Sequence, residues 1–329
     1  MAASSATPYI LFIGSVLLSS IVKRSRSLKK YKMVALDLDG TTLNSAHELS
    51  ERTKATIRRL NEKGVHICIA TGRSTPSVIS FITKLELVQD TVPCVCFNGG
   101  CGVEISRYGT VVSQIFDSPL SPESAKILLR FAEAIGVCAQ YYIGSTGDVY
   151  AVPTTAEHNE LLQRYATLTG KQQIRVTSYS EAEAIEAPAK ILLMTNDADR
   201  LLEAVRTSLP PTMFHVIRGS PSPFFVEFLT PGVSKGYGLM RMCEARGVAL
   251  GDVVAFGDGD NDDEFLRAAG RGVAMRNAQS LAKAAADEVI PVWCCVGDNL
   301  QVMLLCDVWL CLDVVVGCAR ACDPRQMHN

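Results

Sequence analysis

In the stretch MVALDLDGTTL (residues 33–43), Asp37 and Asp39 follow a short apolar run, with a single leucine between them. Four apolar residues precede the pair and predict a short buried strand. Alternate residues of an extended strand share a face, so the two carboxylates repel each other unless a cation lies between them. Oxygen-only ligation suits Mg²⁺, whereas an isolated Asp-Gly pair is more often a simple turn. Polar residues elsewhere in the chain decide between these two interpretations.

Polar residues also follow three other predicted strands. They are Thr71, Gly72 and Arg73 after residues 65–70, Asn98 after residues 92–97, and Asp258, Asn261 and Asp262 after residues 253–256. A hydroxyl, a guanidinium and a glycine backbone can bind an anion, and Asp258 adds a third carboxylate for the cation. Lys235 stands at the start of a predicted helix that can face the same edge. Parallel α/β sheets bind ligands beyond the carboxyl ends of their strands, so the combined pattern predicts one metal and phosphate site.

The segments that carry these residues alternate between strand and helix. Ser50 caps a predicted helix that stops at Gly64, Pro76 opens a second helix, and residues 235–246 form a third. Strands separated by segments of helix length predict an α/β fold with a doubly wound parallel sheet.

The alternation changes in the middle of the chain. Residues 103–106 with 111–116, and residues 137–143 with 149–152, have the character of hairpins, which predicts an inserted α+β domain with an antiparallel sheet. The predicted division is a leader, a first part of the core, a cap, a second part of the core and a tail. Their bounds are 1–31, 32–101, 102–229, 230–290 and 291–329.

Composition limits the classes of partner. The chain has 329 residues, 48% of them hydrophobic, and a net charge of −2, which gives no signal for binding a polyanion, so nucleic acid is not an expected partner. Twelve cysteines without any Cys-x-x-Cys pair predict reduced thiols rather than a zinc site or a disulfide framework. Oligomeric state has no signal in the sequence.

The first 36 residues contain no Asp or Glu, and an apolar run over residues 8–22 is followed by a basic segment over residues 23–30. Three interpretations fit equally: an organelle transit peptide, a short membrane anchor with the catalytic part in the cytoplasm, or a disordered leader. The expected location is accordingly an organelle (chloroplast or mitochondrion) or the cytoplasm.

Taken together, the quoted motifs resemble those of the haloacid dehalogenase superfamily, in its Cof-type branch of phosphatases. Asp37-Leu-Asp39-Gly-Thr41, Thr71-Gly-Arg73, Lys235 and Asp258-Gly-Asp-Asn261-Asp262 are similar to its four motifs, and Asn98-Gly-Gly with the GVSKG stretch (residues 232–236) is similar to the branch. The resemblance covers about residues 32–290. It implies a Rossmann-like core with an inserted α+β cap of the C2 type, after the third core strand.

The resemblance also implies a role for each matching residue. Asp37 is the nucleophile that forms an aspartyl-phosphate, and Asp39 is the general acid and base. Thr71 and Lys235 hold the phosphoryl group, with Gly72, Arg73, Asn98 and Asn261 on the phosphate or substrate. Asp37, the Asp39 backbone carbonyl and Asp258 bind Mg²⁺, and Asp262 supports Lys235.

These roles predict a Mg²⁺-dependent phosphatase acting on a small phosphate monoester, such as a sugar phosphate, an FMN-like ester or pyridoxal phosphate. One alternative is a phosphomutase that passes the same phosphoryl group to a second hydroxyl. Another is a catalytically idle binding protein tethered to a membrane, which only the leader and tail suggest. The tail departs from the family pattern after Ile290, which suggests a read-through or alternative terminus and an isoform of lower stability.

Overall fold

A computed structural model describes residues 31–219 and 224–290 of the chain. The predictions for the apolar run 8–22, the basic segment 23–30 and the tail 291–329 lie outside the described residues. Within them, no helix is both long and apolar enough to cross a membrane. The six cysteines in this part of the chain are all free and buried.

An eight-stranded sheet forms the core, in the order β14-β13-β12-β1-β2-β3-β4-β5. Its strands are β1 (Met33–Leu36), β2 (His66–Ala70), β3 (Thr91–Cys96), β4 (Cys101–Ser106), β5 (Val111–Asp117), β12 (Val253–Gly257), β13 (Arg271–Ala274) and β14 (Glu288–Val289). From β14 to β3 the neighbours are parallel, and β3–β4 and β4–β5 are antiparallel. β1 and β12, which carry no polar residue, are buried throughout, as strands covered on both faces must be.

Helices connect the parallel strands. They are α1 (Glu51–Glu62), α2 (Thr75–Leu85), α7 (Lys235–Arg246), α8 (Asp263–Ala268) and α9 (Ser280–Ala285). The side chain of Ser50 accepts a hydrogen bond from Thr53 N and starts α1, and Ser234 does the same for Tyr237 N at the start of α7. Gly247 ends α7 in the left-handed conformation. This architecture confirms the predicted Rossmann-like α/β core.

A second sheet of six strands lies between β5 and α7 in the chain, in the order β10-β11-β9-β6-β7-β8. Its strands are β6 (Cys138–Tyr142), β7 (Val149–Ala151), β8 (Ile174–Arg175), β9 (Lys190–Met194), β10 (His215–Arg218) and β11 (Phe225–Leu229). The helices of this region are α3 (Pro122–Ala134), α4 (Ala156–Thr169), α5 (Ser180–Ile185) and α6 (Ala198–Ser208). Its pairs are antiparallel except β7–β8, and it has its own apolar core around Tyr141, Ile191 and Phe228.

One predicted boundary is wrong. The sequence placed the first hairpin of residues 102–229 in the cap, but β4 pairs with β3 from Cys96↔Cys101 to Thr91↔Ser106, which makes β4 and β5 the antiparallel edge of the core sheet. The inserted domain therefore begins after Asp117 and follows the fifth strand, not the third. We use "cap" below for residues 118–229.

Candidate active site

Four strand ends meet at one edge of the core sheet. Asp37 follows β1, Thr71 follows β2, Asn98 follows β3 and Asp258 follows β12. Because these four strands are parallel neighbours, their carboxyl ends lie side by side. All ten predicted site residues line one cavity of about 760 Å³ at this edge: Asp37, Asp39, Thr71, Gly72, Arg73, Asn98, Lys235, Asp258, Asn261 and Asp262.

Lys235 lies buried between two carboxylates, with its side chain only 2% exposed. Its Nζ donates to Asp37 Oδ1 at 2.6 Å and to Asp262 Oδ1 at 2.7 Å. Burial lowers the pKa of Lys235, but the charges of Asp262 and Asp37 outweigh it and raise the pKa above its ordinary value. The side chain is therefore a permanent ammonium group at the centre of the site.

Asp37 has one carboxylate oxygen in use and one free among the described residues. Oδ1 accepts from Lys235, whereas Oδ2 accepts no hydrogen bond within this part of the chain. Burial raises the pKa of Asp37 well above its ordinary value; Lys235 opposes this, and the charges of Asp262 and Asp258 add to it. A further cation next to Asp37 would stabilise its ionised form.

The carboxylates fit a divalent cation. Asp37, Asp258 and Asp262 each offer an oxygen, and these oxygens lie within 4.8 Å of one another. Asp262 is already committed, because Oδ1 accepts from Lys235 and Oδ2 accepts from the backbone N–H groups of Asp258 and Gly259, both at 2.9 Å. Asp258 accepts only from neutral side chains and not from an ammonium group, so Asp37 and Asp258 are the better ligands, in an oxygen-only setting that suits Mg²⁺.

The backbone after Asp39 approaches Asp258 very closely. Gly40 has φ +81°, and a Cβ at this position would lie 2.2 Å from Asp258 Oδ2. Asn277 Nδ2 joins the two segments by donating to Gly40 O at 3.0 Å and to Asp258 Oδ2 at 3.2 Å. Thr41 Oγ1 donates to Asp258 Oδ1 at 2.6 Å, so the acid is held on both of its oxygens. The predicted ligation by the Asp39 carbonyl stays a prediction.

Asp39 is paired with two basic residues. Arg73 Nε donates to Oδ2 at 2.7 Å and an Arg73 Nη donates to Oδ1 at 2.6 Å, while His47 Nδ1 lies 3.0 Å from Oδ1. Burial acts to raise the pKa of Asp39, but the hydrogen bonds and charges of Arg73 and His47 hold it below its ordinary value. Asp39 is therefore a carboxylate at neutral pH in this arrangement, ready to accept a proton.

Asn98 connects the two domains instead of presenting a free amide. Its Nδ2 donates to Glu227 Oε2 of the cap at 3.0 Å, and its Oδ1 accepts from Asn261 Nδ2 at 2.8 Å. Gly72 packs against this amide, and a Cβ there would lie 3.0 Å from Asn98 Nδ2 and Oδ1. Asn98 thus acts on Asn261 and the Gly72 loop through contact with them.

Four residues of the site were missed at the level of sequence: His47, Lys190, Glu227 and Asn277. His47, with the positive φ of 57°, has no sequence signal beyond its proximity to the Asp37 motif. Lys190 and Glu227 do have one, because each is a single charge in an otherwise apolar strand.

The fold and the acidic cleft at its strand ends define a Rossmann-like α/β enzyme. The chain matches the haloacid dehalogenase-like hydrolases over residues 34–293, and it belongs to that family.

Relatives of known name are similar over most of their length. The 5-amino-6-(5-phospho-D-ribitylamino)uracil phosphatase YitU of Bacillus subtilis is 31% identical, over 76% of this chain and 88% of YitU. The HMP-PP phosphatase of Cronobacter sakazakii is 28% identical, over 75% and 85%. A crystal structure of a haloacid dehalogenase-like hydrolase from Bacteroides thetaiotaomicron superimposes with a TM-score of 0.65 at 27% identity, covering 79% of this chain and 94% of that one. The predicted family and the prediction of a hydrolase are confirmed.

Proposed function

We propose that this protein is a Mg²⁺-dependent phosphatase that hydrolyses a small organic phosphate monoester through a phosphoryl group carried on Asp37. The observation that carries the proposal is the asymmetry of the Asp37 carboxylate. Lys235 fixes Oδ1 at 2.6 Å, and Oδ2 is left open in the cavity beside Asp258. A carboxylate with one oxygen anchored and the other accessible is oriented for attack on phosphorus.

The first half of the reaction transfers the phosphoryl group to the protein. Asp37 Oδ2 bonds to phosphorus as the bond from phosphorus to the ester oxygen breaks, and Asp39 gives the leaving oxygen a proton. Lys235 reduces the repulsion between the Asp37 carboxylate and the phosphate dianion. Asp37 and Asp258 would hold Mg²⁺, which would supply Lewis-acid positive charge against the negative charge of the phosphoryl group.

The second half regenerates Asp37. Asp39 takes a proton from water, the oxygen of this water bonds to phosphorus, and the bond to Asp37 breaks to release inorganic phosphate. The Asp39–Arg73 pair favours this basic role. Asp39 carries a proton in the first half if Arg73 turns from Asp39 to the substrate phosphate, a move consistent with its place on the cavity wall.

The names of the relatives guide the choice of substrates. YitU is named for the phosphate of a uracil compound, so the test panel includes 5-amino-6-(5-phospho-D-ribitylamino)uracil with FMN, pyridoxal 5′-phosphate and sugar phosphates. Phosphate release by the full chain is measured with Mg²⁺ and with EDTA. We expect phosphate release from at least one ester in the presence of Mg²⁺ and none in the presence of EDTA.

Asp37→Asn is the decisive variant, because it keeps the shape of the side chain and removes the nucleophilic oxygen. We expect loss of turnover by at least about 10³-fold with a folded protein, since removal of a covalent nucleophile abolishes its pathway. Asp90→Asn, at an exposed position, is the matched control. Turnover by Asp37→Asn near the wild-type rate would refute the nucleophile, and release that needs a bisphosphate would indicate a mutase.

A further inference from the structure

Two buried charges in the cap sheet take no part in the chemistry above. Lys190 is 2% exposed and Glu227 is 7% exposed, and Lys190 Nζ lies 2.9 Å from Glu227 Oε2. In the antiparallel pairing of β9 with β11, Glu227 stands opposite Leu192, so Lys190 is its diagonal neighbour on the same face. A buried ion pair costs desolvation free energy and can often be replaced by apolar side chains without loss of stability, so this pair calls for another explanation.

The two oxygens of Glu227 have different surroundings. Oε2 accepts from both Lys190 Nζ and Asn98 Nδ2, at 2.9 and 3.0 Å. Oε1 accepts no hydrogen bond from any described residue, and Glu227 lines the active-site cavity. A carboxylate oxygen that reaches the cavity without a donor from the protein can accept a hydrogen bond from a ligand, so this atom marks a place for a ligand N–H or O–H group.

Aromatic rings form the wall next to this oxygen. Tyr142, Tyr165 and Phe225 line the same cavity, and the rings of Tyr165 and Phe225 meet edge to face with centroids 5.1 Å apart. Lys190 Nζ lies 5.0 Å from the centroid of the Tyr142 ring, which places this ring beside the ion pair. Flat, largely apolar walls with one placed polar atom are typical of sites for ring-bearing ligands.

The ion pair is also bonded to the phosphate end of the cavity. Lys190 Nζ donates to the backbone oxygen of Gly72, the residue between Thr71 and Arg73, at 3.1 Å. Asn98 links Glu227 to Asn261, because its amide donates to Glu227 and accepts from Asn261. A ligand whose phosphate lies at Asp37 can therefore extend its leaving group toward Glu227 without leaving the cavity.

We propose that Glu227 recognises the leaving group, with Oε1 accepting a hydrogen bond from an N–H or O–H on a planar ring that packs against Tyr142 and Tyr165. This inference rests on the proposed phosphatase activity and narrows its substrate to phosphate monoesters of alcohols that carry such a ring. Lys190 and Asn98 are positioning residues, because they fix which oxygen faces the ligand.

Glu227→Gln tests the proposal with almost no change of shape. Lys190 and Asn98 both donate, so they select the amide oxygen, and the amide NH₂ turns into the cavity in place of an acceptor. FMN, pyridoxal 5′-phosphate and 5-amino-6-(5-phospho-D-ribitylamino)uracil present a ring with a donor, whereas p-nitrophenyl phosphate presents a ring without one. We expect the ratio of kcat/KM between the best donor-bearing ester and p-nitrophenyl phosphate to fall at least about tenfold, since an unpaired buried polar group discriminates strongly.

Glu104→Gln is the matched control. Glu104 is likewise a buried strand residue in an ion pair, with Arg246 at 2.6 Å, but it does not line the cavity. The control is expected to leave the ratio unchanged. Glu227→Asp keeps the charge and withdraws the oxygen by one methylene, so it replaces Glu227→Gln if that variant does not fold, with the same expected fall.

The outcomes separate this inference from the function on which it rests. Absence of phosphate release from every ester by the wild-type protein refutes the phosphatase. Release from the wild type with an equal fall on both ring esters in the Glu227 variants refutes the recognition role and leaves only a structural link. A wild-type preference for sugar phosphates over every ring-bearing ester also refutes it.

Discussion

The guanidinium group of Arg73 holds both carboxylate oxygens of Asp39, at 2.7 Å from Nε and 2.6 Å from an Nη. Two parallel hydrogen bonds of this kind fix the plane of the acid as well as its charge. The pair lies in the same cavity as Asp37, so the protonation state of Asp39 depends on where Arg73 points. A substitution of Arg73 therefore tests whether Asp39 acts as the general base.

We expect Arg73→Lys to lower kcat roughly tenfold to a hundredfold, because a lysine cannot form the bidentate contact. Arg73 depresses the pKa of Asp39 against the effect of burial, so its loss raises this pKa. The base form of Asp39 is then lost at a higher pH, and the acidic limb of the kcat profile moves upward. Arg58→Lys, at an ion pair with Glu86 outside the cavity, is the control. An unmoved limb would argue against Asp39 as the base.

Lys235→Met is expected to destabilise the protein as well as inactivate it. The ammonium is the shared partner of Asp37 and Asp262, and its removal leaves two buried carboxylates without it. Breaking a buried pair from one side costs about 3–5 kcal/mol, which urea unfolding of the metal-free protein measures directly. Lys84→Met, at an exposed position of α2, should change the free energy of unfolding by less than about 0.5 kcal/mol. Equal changes in the free energy of unfolding for the two substitutions would show that Lys235 does not stabilise the buried carboxylates.

The strand ends of the site could be predicted because each is specified locally. β1 with Asp37 and β12 with Asp258 are each a fully apolar run followed by polar residues. The parallel order of the sheet then brings these strand ends to the same edge. The helix over residues 235–246 was also predicted with its observed bounds, since Ser234 and Gly247 mark its two ends.

The sheet to which the β4–β5 hairpin belongs could not be predicted in the same way. Its sequence has the pattern of any hairpin. The pairing of β4 with β3, which begins at Cys96↔Cys101 across a turn at Asn98, decides that the hairpin belongs to the core sheet. The contact between Lys190 and Glu227 could not be predicted for a similar reason. Each charge is visible in its apolar strand, but the contact depends on the register of β9 with β11, which joins segments 37 residues apart.

Gly40→Ala and Gly64→Ala form a matched pair for the approach of the backbone to Asp258. The two glycines have φ of +81° and +82°, so both substitutions carry the same left-handed conformational cost, of about 1 kcal/mol. A Cβ at Gly64 meets nothing within 4 Å, whereas a Cβ at Gly40 would lie 2.2 Å from Asp258 Oδ2. We expect Gly40→Ala to weaken Mg²⁺ binding at least about tenfold, with no such change in Gly64→Ala, as calorimetric titration would measure. Equal Mg²⁺ affinities in the two variants would show that the close approach does not shape the metal site.

Mg²⁺ binding should depend on pH through Asp258. Burial raises the pKa of this acid to about 6, with the Thr41 hydrogen bond lowering it and the charge of Asp262 raising it. The folded, metal-free protein therefore holds a proton on Asp258 below about pH 6, and the cation must displace it, so Mg²⁺ affinity falls as the pH drops from 7.5 to 5. The stability of the metal-free form moves in the opposite direction: a folded pKa above the unfolded one favours folding below the unfolded pKa, and this contribution is lost as the pH rises through 6.

The rise in Tm caused by Mg²⁺ combines both effects. It should be largest at pH 7.5 and shrink toward pH 5, where protons compete for the carboxylate and the metal-free protein has gained stability. Asp258→Asn cannot take up this proton, so the variant should show a smaller rise that varies less with pH than that of the wild type. Some variation stays because burial also raises the pKa of Asp37, whereas the exposed Asp90→Asn should follow the wild type. A Mg²⁺-dependent rise of equal size at both pH values in the wild type would mean that Asp258 is not a ligand, since a carboxylate with this raised pKa cannot bind a cation without losing its proton.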